Sequence, residues 1–296
     1  MLVASVTSLP EIVTDVAAAA VDEADLAAGD LFGSSMANML ILALIDLSHR
    51  RVRVLRSVAQ AHTLGASLAI VLTAFAATMT IDNLGVAIGH VGLESIVLAG
   101  LYVLGTRVIF LEAGRTALGP PPADAPEEER SNGVVALQWP ERRQIGLFVL
   151  AAAPVVAAGP LLAVSARDIS EQTGLDATFV GVLLLAVTTS LPELATSVSA
   201  VRIGAYDLAV GGLFGSNAFN MFAFLFVDIA YTPGPVFDAV SPSQGVAALF
   251  AIGLMATAMM GLVQRSERRL WLLEPDAAAI VVTYLAGLFL VYQATA

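Results

Sequence analysis

Thr7-Ser8-Leu9-Pro10-Glu11 and, 182 residues later, Thr189-Ser190-Leu191-Pro192-Glu193 each set a glutamate into an apolar run of membrane grade. A second shared segment follows at the same distance in both copies. It reads Gly29-Asp30-Leu31-Phe32-Gly33-Ser34-Ser35-Met36-Ala37-Asn38 in the first and Gly211-Gly212-Leu213-Phe214-Gly215-Ser216-Asn217-Ala218-Phe219-Asn220 in the second. Leu2–Asp46 aligns with Leu184–Asp228 without a gap, and 21 of the 45 positions are identical. An ionisable side chain at membrane depth is costly, so a functional role is its default explanation. Two such acids at equivalent positions of two repeats point to one shared site where the repeats meet.

Of all residues 57% are hydrophobic and only 13% are charged, and the mean hydropathy is +0.82. Several runs exceed the roughly 18 apolar residues that cross a bilayer. The composition therefore implies an all-α polytopic membrane protein. Cysteine is absent, which excludes disulfides and thiolate metal sites. No HExxH, Walker-type loop or GxGxxG occurs, and His49, His62 and His90 lie far apart in sequence. An intramembrane hydrolase would need paired aspartates, a Ser/His pair or zinc ligands, and none is legible. The net charge of −11 argues against nucleic acid as a partner. Every basic residue is arginine, a bias that fits a high-GC or salt-adapted source and says nothing about mechanism.

Hydropathy predicts nine spans, at about 2–21, 26–47, 61–80, 92–111, 144–165, 177–201, 207–231, 244–263 and 276–293. An N-terminal half, 1–111, holds the first repeat in four spans, and a C-terminal half, 144–296, holds the second in five. Between them, 112–143 is a linker with Pro120-Pro121-Pro122 and Glu127-Glu128-Glu129, too short for a folded regulatory domain. Arginine sets the orientation: Arg50, Arg51, Arg53 and Arg56, then Arg142 and Arg143, then Arg265, Arg268 and Arg269 mark three cytoplasmic connections. The connections with Asp22, Glu23 and Asp25, with Asp82 and Glu94, and with Asp238 carry no arginine and face outside. Threading the spans this way puts the hairpin after Glu11 outside and the equivalent hairpin, with Arg202, inside. The repeats are thus expected to be inverted, about five helices each. The helix that precedes the second repeat has its counterpart before Met1, so a first helix is expected to be missing, with a segment of roughly 40 residues if the repeats are symmetric, through a misassigned start or a true loss.

The motif itself predicts a broken helix. Ser/Thr-x-x-Glu with proline in the first turn reads as a capping-box start, yet Gly181–Thr188 upstream is already apolar. Such breaks at membrane depth are tolerated where they line a cavity or hold ions. Glu193 with Thr189 and Ser190, and Glu11 with Thr7 and Ser8, would supply oxygens. Ser34 and Asn38, and likewise Ser216 and Asn220, share a helix face at a spacing of four. Gly29 and Gly33, with Gly211 and Gly215, make small surfaces for close helix approach. Carboxylate, amide and hydroxyl oxygens without sulfur or imidazole suit Ca²⁺ and Na⁺. One Ca²⁺, two Na⁺ or two protons each neutralise two glutamates, so occupancies are mutually exclusive, which is the logic of antiport. For Asp30, surface exposure and pathway lining are equally open, and Asp46 and Asp228 fall at span ends as interfacial acids.

On these paired motifs the chain resembles the sodium/calcium exchanger family of the cation/Ca²⁺ exchanger superfamily. The resemblance covers both repeats, and it implies ten helices, a central site lined by four of them, and alternating access by sliding of the first and sixth. It assigns Glu11 and Glu193 as the central carboxylates. Thr7, Ser8, Thr189, Ser190, Ser34 and Ser216 become Na⁺ or Ca²⁺ ligands, with backbone oxygens from Ala4 and Ala186, and Asn38 and Asn220 complete the lining. Three departures stand out: Asn220 where archaeal-type members often have aspartate, Asp30 and Ser35 in the first copy where asparagines are usual, and the absent first helix, one of the two sliding elements. The expected function is a secondary-active antiporter, not an enzyme, exchanging Ca²⁺ for Na⁺ across the plasma membrane without a cofactor. The alternatives are a Ca²⁺/H⁺ or other monovalent cation/proton exchanger and a non-transporting fragment or subunit.

Overall fold

The computed structural model describes residues 7–48, 62–118, 141–263 and 275–296, which are almost entirely helical. In chain order the helices are α1 (Leu9–Ala20), α2 (Ala24–Ser48), α3 (His62–Ile81), α4 (Leu93–Leu118) and α5 (Glu141–Thr173). Then come α6 (Ala177–Thr189), α7 (Leu191–Arg202), α8 (Tyr206–Ala230), the one-turn α9 (Val236–Ala239), α10 (Gln244–Val263) and α11 (Pro275–Thr295). A two-stranded antiparallel hairpin, β1 (Ala87–Ile88) and β2 (Val91–Gly92), leads into α4.

The helices starting at Leu9, Ala24, His62 and Leu93 are answered by helices starting 182 residues later, at Leu191, Tyr206, Gln244 and Pro275. The offset read from the motifs thus runs on to the last helix, well past the stretch where sequence identity is legible. A membrane-facing helix needs only apolar composition, so its sequence drifts while its length persists.

Helices α2 and α8 are apolar on nearly every face, and such helices belong in the interior. They form the core, with Phe32, Phe214 and Phe224 fully buried and the Phe32 and Phe224 rings 5.4 Å apart. Helices α3 and α10 pack on them. The rim is α4 and α11, which expose Leu104, Val108 and Phe110, and Val282, Leu285 and Phe289, side chains suited to lipid. Helix α6 comes unusually close to α2. A Cβ on Gly33 would lie 2.5 Å from the Val182 carbonyl oxygen, and one on Gly181 would lie 2.7 Å from that of Leu26.

Connections group at two ends. Asp25 Oδ1 accepts from Ser241 N at 2.7 Å, and Asp228 accepts from Gly92 N at 2.8 Å and Val236 N at 2.7 Å. Arg167, near the end of α5, pairs with Glu23 at 3.1 Å. Residues 21–25, 82–92 and 231–243 therefore share one end. At the start of α8, Asp207 Oδ1 meets His62 Nε2, at the start of α3, at 2.9 Å, so the α7–α8 turn lies at the opposite end. Asp228 is fully buried as an anchor for two connections, whereas an interfacial acid was expected. Asp228→Ala frees two buried backbone donors and is expected to cost about 2–4 kcal/mol, read as a lower Tm in detergent.

The expected count of nine spans differs from what the described residues contain. Six helices are long and apolar enough to cross, or seven if α6 and α7 are one bent span. The other two expected spans are α1 and α5. With 12 residues, α1 reaches only about 18 Å, and residues 2–6 of that expected span lie outside the described residues. Helix α5 has 33 residues, carries Pro154 and Pro160, and is charged in its turns at both ends. Residues 119–140, most of the expected linker, and Arg50, Arg51, Arg53, Arg56, Arg265, Arg268 and Arg269 lie outside the described residues, as does Ala4.

Candidate cation site

The break expected from the motif lies at Ser190, where α6 and α7 meet at a bend of 42°. Ser190 has φ −83° and ψ 4°, and Ser8 has φ −84° and ψ 4°, so the two motif copies fold alike. A π-helical turn, Gly181–Leu185, loosens α6 just upstream. The expected capping box does not form: neither serine side chain caps its own helix. Each crosses to the other half instead. Ser8 Oγ donates to Glu193 Oε1 at 3.1 Å, and Ser190 Oγ donates to Glu11 Oε1 at 3.1 Å. A buried carboxylate is a strong acceptor for the serine proton, and holding the hydroxyl against it takes the oxygen away from the first-turn amides that a cap would accept from.

Both glutamates are buried, and their surroundings differ. Glu11 has both oxygens occupied. The Asn220 amide, in the orientation its neighbours require, donates Nδ2 to Glu11 Oε2 at 2.9 Å and to the Ser216 carbonyl at 3.1 Å. Glu193 Oε1 also takes Ser216 Oγ at 3.4 Å, and the Thr7 side chain bonds the same carboxylate. Its Oε2 is buried without a partner among the described residues.

Around Asp30 a second group converges. Asp30 Oδ1 accepts from Thr189 Oγ1 at 2.8 Å and from Ser34 Oγ at 3.2 Å. Ser34 Oγ also lies 3.5 Å from the Ala186 carbonyl oxygen and 3.3 Å from Thr189 Oγ1. Asp30 is thus fully buried beside the sequence-predicted oxygens and is not exposed at the surface. Asn38 points partly elsewhere: its Nδ2 donates to Asn217 Oδ1 at 2.9 Å, linking α2 to α8, while its own Oδ1 has no partner among the described residues. The structure therefore gathers Glu11, Glu193, Thr7, Ser8, Thr189, Ser190, Ser34, Ser216, Asn220 and the Ala186 carbonyl around α1, α2, α6, α7 and α8.

A cavity of about 410 Å³ reaches this cluster along α7 and α8, lined by Thr7, Glu193, Ser197, Gly212 and Ser216 among others. The equivalent helix in the first half, α1, is packed against α5. Sequence reasoning missed Asp15, which is fully buried one turn beyond Glu11. Its counterpart in the second copy is Ser197, so a search for repeated acids passes over it.

Chemically, the site is an excess of acceptors. Glu193 Oε2, Asp30 Oδ2, Asn38 Oδ1 and both Asp15 oxygens are buried without a donor among the described residues. Buried acceptors in that number call for a cation, a proton or bound water as partner. Among the described residues no three His, Cys, Asp or Glu side chains form a metal-holding group, so a cation bound here would need hydroxyl, amide and carbonyl oxygens as well.

The family described as sodium/calcium exchanger protein matches residues 1–111 and 143–293. The Alkalimonas amylolytica protein CaxA is 30% identical over 284 residues, 90% of this chain and 80% of its own length. Among solved structures, the sodium-calcium exchanger NCX_Mj superposes with a TM-score of 0.62 at 17% identity, covering 98% of this chain and 84% of that one. The H⁺/Ca²⁺ exchanger CAX superposes with a TM-score of 0.57 at 14% identity, covering 97% and 78%. These superpositions extend the likeness in fold across both halves. With two carboxylates exchanged between two copies of one motif and a matching family over nearly its whole length, the chain belongs to the sodium/calcium exchanger family, a family of membrane antiporters.

Proposed function

We propose that the protein exchanges Ca²⁺ for Na⁺ across the plasma membrane, with Glu11 and Glu193 as the shared carboxylates. Thr7, Ser8, Thr189, Ser190, Ser34, Ser216 and the carbonyl oxygens of Ala4 and Ala186 are the further ligands, and Asn38 and Asn220 line the site. The observation that carries this reading is the surplus of buried oxygen acceptors around two glutamates that each borrow a donor from the opposite repeat. One Ca²⁺ or two Na⁺ neutralises the pair, and the same oxygens cannot serve both loads at once. An inverted arrangement of the repeats is favoured by the grouping of connections: the turn after α1 and the turn after α7 lie at opposite ends. That arrangement lets one carboxylate pair face either side in turn.

A second reading has one observation of its own. Asn220 acts as a donor to Glu11, where an aspartate would add an acceptor, and a site with fewer acceptors suits fewer or lighter cations, including protons. Vesicle transport separates the two. Ca²⁺ uptake into Na⁺-loaded vesicles is expected to exceed uptake into Na⁺-free vesicles by at least about tenfold, and an imposed pH gradient alone is expected to drive none. Uptake that follows the pH gradient and ignores Na⁺ overturns Na⁺ coupling in favour of the proton exchanger.

A further inference from the structure

The two halves of the pathway are not chemically equivalent. Along the cavity in the second half stand Ser197 on α7 and Gly212 on α8. The residues 182 positions earlier, Asp15 on α1 and Asp30 on α2, are both acids and both fully buried. They stand on neighbouring helices, α1 and α2, that pack against each other. Yet both oxygens of Asp15 and Oδ2 of Asp30 have no donor among the described residues. Two carboxylates buried together repel unless a proton or a metal cation lies between them. Asp30 takes donors only on Oδ1, from Thr189 and Ser34, which leaves the oxygen on the other side of its carboxylate free. Three free carboxylate oxygens from two acids make a hard-cation environment, with charge matched by one divalent ion.

We propose that Asp15 and Asp30 form a second cation-binding position, present in the first half alone and adjoining the central site. It takes a hard divalent cation of the Ca²⁺ class. The position rests on the central-site reading in that the same pathway delivers the ion, but its ligands lie beyond the glutamate pair. Because Ser197 and Gly212 cannot replace it in the other half, the pathway holds more cation charge on one side of the glutamates than on the other. Exchange is then expected to respond unequally to Ca²⁺ on the two faces of the membrane.

Equilibrium dialysis of the purified full chain with ⁴⁵Ca²⁺ in Na⁺-free buffer tests this directly. The unsubstituted protein is expected to bind two Ca²⁺ per chain, and Asp15→Asn combined with Asp30→Asn is expected to bind one. Asp15→Ser, which introduces the residue carried by the second half, is expected to lose the same ion and serves if the double variant does not fold. One Ca²⁺ on the unsubstituted protein overturns the second position and leaves the central site standing. Two on both the protein and its variants place the extra ion elsewhere and also overturn it. No bound Ca²⁺ on the unsubstituted protein overturns the central-site reading together with this one.

Discussion

Glu11→Gln is expected to lower Na⁺-driven Ca²⁺ uptake by about two to four orders of magnitude, and Glu193→Gln is expected to do the same. Removing one charge from a buried, ion-compensated group costs about 3–5 kcal/mol of that partnership, which sets the scale of the loss. The substitution is isosteric, so damage to the fold does not account for it. A glutamine carbonyl at position 11 still accepts from Ser190 Oγ, and the Asn220 amide can accept from the new amide nitrogen only by giving up its bond to the Ser216 carbonyl. Without Ca²⁺ the variants are therefore expected to melt no lower than the parent, since each lacks one charge that the apo protein has to bury. What they lose is the rise in Tm on adding Ca²⁺, because a ligand stabilises only a state that binds it. Uptake at parental levels in either variant would remove the glutamates from the transport site.

Gly33→Ala is expected to lower Tm by roughly 5–10 °C and to reduce the fraction of chain that purifies as a single species. The added methyl would meet the Val182 carbonyl oxygen at 2.5 Å, the Val182 Cα at 2.6 Å and the Ala186 Cβ at 2.7 Å. Two of those atoms are backbone, so no rotamer change relieves the clash. Helix α6 must move, and it carries Ala186 and Thr189 of the candidate site. Gly253→Ala, in α10, is the contrast, with open space around the new methyl. There the helix-propensity gain stands alone and is expected to raise Tm by roughly 1–4 °C. Thermal melts of the two variants in the same detergent check both signs, and a Gly33→Ala protein as stable as Gly253→Ala would show that the close approach is dispensable.

Much of this was legible in the sequence because duplication writes a contact map. A lone Ser-Leu-Pro-Glu is ambiguous, but Glu11 and Glu193 in gapless register had to meet if the copies packed together. The break at Ser190 followed from a helix start placed inside an apolar run. The capping box was misread for a physical reason: the signature is local, whereas Ser8 and Ser190 are claimed by carboxylates 185 and 179 residues away. Asp15 was passed over because its partner in the second copy is Ser197. The signal that could have found it is its position four residues after Glu11, on the same face of an apolar helix. The π-helical turn in α6 left no sequence mark, because it depends on how Gly29, Gly33 and Gly181 let two backbones touch.

The crossed serine–glutamate bonds also bear on how the chain is made. Glu11 leaves the ribosome 179 residues before Ser190, an interval on the order of 10 to 40 s at ordinary rates of synthesis. Asn220, its other donor, comes later still. Throughout that time the first half sits in or near the bilayer with an acid whose hydrogen-bonding partners do not yet exist. Nascent chains arrested before Ser190 should therefore be poor membrane proteins in their own right, slow to integrate and open to quality control. Arrest just past Asn220 should relieve them, making the second half the assembly partner that completes the first.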